Sequence, residues 1–202
     1  MKLPLYKAQI TDMTTGMFTI SLVDAPAVES DFLCFDEDRQ PLQFKVENEE
    51  KRIITGVIMR CNHPIYRVGT SGYEYYIMFD EPTIEVMAEK WLAEGFQNSV
   101  NLQHNPEAYV DGVFLKEVYF KDVERGVNPK GFEDIEDKSL FGTYKVLNDD
   151  VWAKIKDGTF KGFSLEGTFD MVEVKPEQTE EEKLMDEVID LLEKEMNKRK
   201  KK

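Results

Sequence analysis

Residues 160–169 read Phe-Lys-Gly-Phe-Ser-Leu-Glu-Gly-Thr-Phe, and this stretch decides the class of fold. Small or polar residues alternate in it with large apolar ones, which is the pattern of a strand with two unlike faces. The small or polar face comprises Gly162, Ser164, Glu166 and Thr168. We therefore predict an extended strand whose apolar face packs on the core and whose polar face points away from it.

Similar runs of β-branched or aromatic residues, separated by turn residues, recur on the N-terminal side of this stretch. The predicted strands cover residues 53–60, 75–80, 100–103, 113–121, 141–146 and 162–174. Two helices are expected at 83–94 and 149–156, because both segments carry helix-capping residues at each end. The elements do not alternate as βαβαβ, so a largely antiparallel sheet or barrel with peripheral helices is favoured over a doubly wound parallel sheet.

The C-terminal segment, residues 176–202, differs from the rest of the chain. It contains no glycine or aromatic residue and predicts one charged helix with a narrow apolar stripe. The stripe consists of Leu184, Val188, Leu191, Leu192 and Met196. This helix could dock on its own domain or stay solvated, and it could equally form a short coiled coil or bind a partner. We divide the chain into a folded body, residues 1–175, and this helical tail, residues 176–202.

Composition excludes several functions. The chain has 40 acidic and 26 basic side chains and a net charge of −14, of which the body carries −12. Such acidity disfavours nucleic acid and anionic membrane surfaces as partners. Cys34 and Cys61 stand alone and only two histidines are present, so we expect no metal site, no cofactor and no disulfide framework. Neither a signal peptide nor a membrane-spanning run is recognisable, and we expect the protein to work inside a cell.

A polar connection at residues 122–138 is long enough to be a functional or mobile loop, although a disordered surface loop would have the same composition.

Two residues could carry chemistry. If Val100, Leu102 and His104 share one strand face, the imidazole is held at the end of the strand on the apolar side, oriented as a general base must be. Ser164 shares its predicted strand face with Glu166, so serine, histidine and a carboxylate could meet. By spacing alone, a serine of the sheet and a structural histidine are the commoner interpretations.

A resemblance to a known family sharpens this hypothesis. The segment Thr159–Gly167 resembles the nucleophile segment of the phage prohead (capsid maturation) serine proteases, which share the herpesvirus assemblin-type fold. The preceding Val151–Gly158 is similar to the lead-in of that segment, and His104 within Asn101–Asn105 resembles the base motif. Further similarity lies in Ile20–Ala27, Pro64–Arg67 and Tyr75–Phe79, so the resemblance spans roughly Met17 to Asp170.

This resemblance implies an α+β fold with a mostly antiparallel, seven-stranded barrel-like core. It also implies Ser164 as nucleophile and His104 as general base. Assemblins complete the site with a second histidine downstream of the serine, but both histidines of this chain lie upstream. Phage relatives use an acid on another strand, at a place where this chain has Thr19. Glu166 is the preferred third residue, and Asp24 and Asp170 are alternatives.

The implied function is a serine endopeptidase that cleaves scaffold proteins, major capsid proteins and itself. It would act in the host cytoplasm, inside the assembling phage procapsid, and a homo-oligomer is a possible form. The alternative is a catalytically silent scaffolding component of the procapsid that keeps the protease-like fold. The acidic surface and the charged tail favour this alternative, because assembly scaffolds are commonly helical and charged.

Overall fold

A computed structural model of the chain describes residues 3–24, 43–69 and 71–174. It contains eleven strands: β1 (Leu5–Gln9), β2 (Gly16–Val23), β3 (Lys45–Asn48), β4 (Ile53–Met59), β5 (Ile65–Val68), β6 (Glu74–Met78), β7 (Val100–Leu102), β8 (Val113–Phe120), β9 (Leu140–Val146), β10 (Gly162–Thr168) and β11 (Asp170–Glu173). Two helices, α1 (Glu81–Ala93) and α2 (Asp149–Lys156), lie among them. The predicted C-terminal helix, residues 176–202, falls outside the described residues.

The strands form three sheets. Sheet 1 has the order β11-β1-β6-β5, sheet 2 the order β10-β2-β7 and sheet 3 the order β3-β4-β9-β8. Among the strand pairs of the described residues, only β1–β6 and β2–β7 are parallel, so the predicted mostly antiparallel α+β fold is confirmed. None of the three sheets closes on itself within the described ranges, and the barrel-like core stays a prediction.

Both helices follow from their caps and their apolar spacing. The Asp80 side chain accepts a hydrogen bond from the Thr83 amide at the start of α1, and Asn148 accepts one from the Val151 amide at the start of α2. Helix α1 buries one face, with Trp91 fully enclosed, and packs against β2. Helix α2 spans the predicted residues, whereas α1 begins two residues earlier than predicted because Asp80 caps it and Pro82 lies in its first turn.

The segment predicted as one strand at 162–174 is two strands in the structure. Strand β10 ends at Thr168, and after Phe169 the chain continues as β11 in sheet 1. The pairing of β10 with β2 shifts between Glu166 and Gly167, which is a β-bulge. A Cβ atom at Gly167 would lie 2.2 Å from the carbonyl oxygen of Gly16, so only glycine fits there. The bulge thus turns the chain from sheet 2 into sheet 1.

The loop at 122–138 is folded, not disordered. Phe132 and Ile135 are buried against Val57 and Phe141, in a small apolar cluster separate from the main core. A bridge between Asp122 and Val127 closes its first turn. The alternative of a disordered surface loop is therefore wrong.

Candidate active site

Sheet 2 brings polar side chains together on one of its faces. Ser164 of β10 lies opposite Ser21 of β2, and Ser21 lies opposite Asn101 of β7. Side chains of residues that are directly opposite in a sheet point to the same side. Glu166, two residues after Ser164, belongs to this side as well. The three strands therefore carry one continuous polar row, while their other faces contribute to the core.

One carboxylate oxygen is the centre of the resulting hydrogen-bond cluster. Glu166 Oε1 accepts hydrogen bonds from Ser21 Oγ at 2.6 Å and from Asn101 Nδ2 at 2.8 Å, and it lies 3.1 Å from His104 Nδ1. Ser21 Oγ is also hydrogen-bonded to Asn101 Oδ1 and lies 3.1 Å from His104 Nδ1. Four side chains from three strands and one turn, Glu166 included, thus form one cluster. We call Ser21, Asn101, His104 and Glu166 the polar cluster.

The charge of Glu166 is stabilised by these neighbours. Burial acts to raise the pKa of Glu166, but the hydrogen bonds from Ser21, Asn101 and His104 outweigh burial and hold that pKa below its usual value. At neutral pH the carboxylate is therefore ionised. An ionised carboxylate next to Nδ1 favours the tautomer that carries its proton on Nδ1. That tautomer leaves the lone pair of Nε2 available to accept a proton.

His104 reaches the cluster through an unusual backbone turn. Strand β7 ends at Leu102, and both Gln103 and His104 adopt left-handed conformations, with φ of 54° and 56°. This turn places the imidazole on the side of Asn101, with 45% of the side chain exposed. The prediction that His104 shares a face with Val100 and Leu102 is wrong, because it assumed that the strand continues to residue 104.

The predicted nucleophile lies beside the polar cluster. Ser164 is only 3% exposed, and it lines a cavity beside β10. Within the described ranges its hydroxyl is not hydrogen-bonded to His104, whose Nδ1 faces Ser21 and Glu166. The structure thus brings His104 and Glu166 into contact and places Ser164 on the same sheet face, two residues from Glu166.

The alternative acids lie outside the polar cluster, whereas Thr19 lies opposite Glu166 in sheet 2 and lines the cavity beside β10. Asp24 is exposed, and its backbone amide donates a hydrogen bond to the Gln103 side chain. Asp170, the first residue of β11, accepts a hydrogen bond from the Thr11 hydroxyl. Thr19 is buried and hydrogen-bonded to Ser99 and Tyr109. Among the three acids considered, only Glu166 contacts His104 in the part of the chain that the structure describes.

A cavity of about 760 Å³ opens beside β10. Five consecutive residues of β10, 164–168, line it, so it runs along the edge of the strand and not along one face. Its other walls come mainly from β2, β4, β5 and β6, and most of their residues are apolar or aromatic. Pockets of this size that combine apolar walls with polar groups are typical ligand sites. The polar cluster therefore adjoins a space that a substrate could occupy.

Sequence reasoning missed Ser21 and Asn101. Asn101 alternates with the apolar Val100 and Leu102, and Ser21 interrupts the apolar run from Ile20 to Val23. In each case the sequence shows one polar residue between apolar neighbours. Because side chains alternate along a strand, such a residue lies on the face opposite to the apolar ones, and this pattern could have marked it as a candidate. Which strands are neighbours could not be derived from that signal.

A hydroxyl and a half-buried carboxylate on one sheet face, with an imidazole from the adjoining turn, are the groups of a serine hydrolase. The chain belongs to the phage serine protease family described as "Putative phage serine protease XkdF", whose model matches residues 41–173. This membership confirms the resemblance to phage serine proteases. The matched range contains His104, Ser164 and Glu166, whereas Ser21 precedes it.

No curated protein and no solved structure matches the chain. Within the described ranges, no helix is long and apolar enough to cross a membrane. The same ranges hold no group of three or more histidine, cysteine, aspartate or glutamate residues arranged for a metal ion.

Proposed function

We propose that the protein is a serine endopeptidase with Ser164 as nucleophile, His104 as general base and Glu166 as the carboxylate that orients the imidazole. The observation that carries the proposal is the contact between Glu166 Oε1 and His104 Nδ1 at 3.1 Å, on the sheet face that also bears Ser164. Ser21 also touches the imidazole, but it is fully buried and does not line the cavity. Ser164 is the serine that a substrate in the cavity could reach.

The proposed reaction uses these groups in sequence. His104 Nε2 takes the hydroxyl proton of Ser164 as the Ser164 oxygen attacks the scissile carbonyl, and the imidazolium returns the proton to the leaving amine. Water then hydrolyses the acyl-enzyme by the same route. Glu166 holds the proton on Nδ1 and stabilises the positive charge that forms on the ring. Because Ser164 and His104 are not hydrogen-bonded in this structure, their side chains must approach each other when substrate binds.

The biological setting follows from the family resemblance. We propose that the substrates are scaffold proteins, major capsid proteins and the protease itself, inside the assembling procapsid in the host cytoplasm. The assemblin relationship, with its barrel-like core and possible homo-oligomer, belongs to the same proposal. So does the helical tail at 176–202 as a scaffold-like or docking segment.

A catalytically silent scaffolding role is the competing function. The net charge of −12 on the body and the charged C-terminal segment favour it, since neither is needed for proteolysis.

Labelling with a fluorophosphonate separates the two functions. We expect the wild type to be labelled at Ser164, and the Ser164→Ala and His104→Ala variants to lose labelling and self-cleavage. Ser71→Ala, which removes an exposed hydroxyl outside the cavity, should behave as the wild type. Circular dichroism would establish that all variants are folded. Cleavage by Ser164→Ala at the wild-type rate would exclude Ser164 as the nucleophile, and absence of labelling and cleavage in assembling particles would favour the scaffold.

A further inference from the structure

Arg67 is the cationic group in the wall of the cavity beside β10. It lies on β5, is half-buried, and faces Tyr75 of β6 across the strand pair. The other walls of the cavity include Ile65, Ile77 and Phe79, which carry no charge. One arginine therefore provides the positive charge of a cavity that also reaches Ser164.

Within the described ranges, no carboxylate forms an ion pair with Arg67. Its Nη1 donates a hydrogen bond to the carbonyl of the preceding residue at 2.9 Å, whereas Arg52 and Arg60 pair with Asp149 and Glu136. This difference is unexpected in a body with 31 acidic and 19 basic side chains. An arginine has five N–H donors in a fixed planar arrangement, so most of the donors of Arg67 are left for another partner.

The partial burial of Arg67 makes its positive charge energetically unfavourable. Burial lowers the pKa of Arg67, but an arginine remains protonated in proteins. A cation that is withdrawn from water without an anion is destabilising. Glu166 lines the same cavity, but its carboxylate is engaged by Ser21, Asn101 and His104. A carboxylate of a bound ligand would accept hydrogen bonds from the free N–H groups of the guanidinium. Because two parallel hydrogen bonds match the planar carboxylate, Arg67 would select this group.

The edge of β10 indicates how such a carboxylate would arrive. Strand β10 pairs only with β2 in the described part of sheet 2, so it is an edge strand, and the cavity follows that edge. An extended peptide can add to a sheet edge through its main chain and place alternate side chains in neighbouring pockets. A peptide bound in this way would pass Ser164 and direct side chains toward β5 and β6.

We propose that Arg67 forms a specificity subsite that selects an aspartate or glutamate side chain of the substrate near the scissile bond. The proposal rests on the proposed protease function, because it assigns the cavity beside Ser164 to the substrate. The apolar walls contact the methylene groups and the neighbouring substrate residues, and the guanidinium binds the carboxylate.

The first experiment measures binding without cleavage. Full-length Ser164→Ala protein is immobilised and presented with a randomised hexapeptide library, and the bound peptides are sequenced by mass spectrometry. We expect aspartate and glutamate to be enriched at one position by about tenfold, the factor that one charge-assisted hydrogen bond provides. Adding Arg67→Met should abolish the enrichment. Adding Arg125→Met, which removes an exposed arginine outside the cavity, should preserve it.

A second variant covers the possibility that Arg67→Met does not fold. Arg67→Glu should invert the preference, so that lysine and arginine replace the acidic residues at the same position. Thermal unfolding of each variant reports on folding. Equal acidic enrichment with and without Arg67, or no acidic enrichment by Ser164→Ala protein, would overturn the subsite.

Cleavage of the same library by the protein with Ser164 intact separates this proposal from the proposed function. Cleavage without a preference for acidic residues would overturn the Arg67 subsite but would support the proposed protease function. Acidic enrichment in the binding experiment, together with no cleavage, would support the subsite and count against the protease.

Discussion

Ser21 is fully buried at the centre of the polar cluster, between the carboxylate, the amide and the imidazole. Its hydroxyl has one proton, so it can donate to only one of Glu166 and Asn101 at a time. Asn101 Nδ2 donates to the same carboxylate oxygen, which fixes the orientation of the amide. Ser21 therefore acts on the imidazole through Glu166 and through its own contact with Nδ1, as a positioning residue for the proposed catalytic pair.

Replacing Ser21 with alanine should raise the pKa of Glu166 toward its ordinary value of 4.5, because a hydrogen bond that stabilises the ionised form is lost. The shift can be measured by ¹³C NMR titration of the Glu166 carboxylate. Under the proposed function, we also expect kcat to fall by roughly tenfold, the effect of a misplaced general base, with KM unchanged. Ser71→Ala is the control, and an unaltered titration of Glu166 in Ser21→Ala would contradict the role of Ser21.

At the scale of elements, the loop at 122–138 depends on one buried lysine. Lys121 follows β8, is 2% exposed, and its Nζ donates hydrogen bonds to the carbonyls of Phe132, Glu133 and Ile135. These three carbonyls lie in the part of the loop that packs on sheet 3. The ammonium thus satisfies backbone groups that would otherwise be buried without partners.

Lys121→Met should loosen this loop, because methionine fills a similar volume but cannot donate to the three carbonyls. We expect a loss of about 3 kcal/mol in the free energy of unfolding, measured by chemical denaturation. Hydrogen exchange should become faster within 122–138. Lys130→Met, at an exposed position of the same loop, should change neither quantity. Unchanged stability of Lys121→Met would show that water satisfies these carbonyls.

The local sequence pattern was sufficient to predict some structural elements and insufficient to predict others. The alternation at 160–169 correctly places Ser164 and Glu166 on one face, because a strand has a fixed period of two. It did not predict the bulge at Gly167, which depends on the close approach of Gly16 from β2. The face of His104 was wrong for a related reason, since the left-handed turn at Gln103 and His104 ends the strand. Contacts between distant segments, such as Ser21 with Glu166, follow from strand order, which the sequence pattern does not specify.

At the scale of the whole molecule, part of the acidic charge contributes to the stability of the fold. Several carboxylates have pKa values below their usual range because they accept hydrogen bonds or face cations. They are Asp12, Asp80, Asp122, Glu133, Glu136, Asp157 and Glu166. A carboxyl group whose pKa is lower in the folded state contributes stability above its unfolded pKa and loses it as the pH falls. The fold should therefore be destabilised by acid.

Glu136 should account for a measurable part of this acid sensitivity. Burial acts to raise the pKa of Glu136, but hydrogen bonds from His63 and Arg60 outweigh burial and lower that pKa from 4.5 to about 2. Its contribution is complete above pH 4.5 and is lost between pH 4.5 and 2. We expect Glu136→Gln to be less stable than the wild type at pH 7 in chemical denaturation, and the difference to shrink at pH 3. The exposed Glu124→Gln should match the wild type at both pH values. A constant difference for Glu136→Gln would mean that the carboxylate contributes by packing and not by its charge.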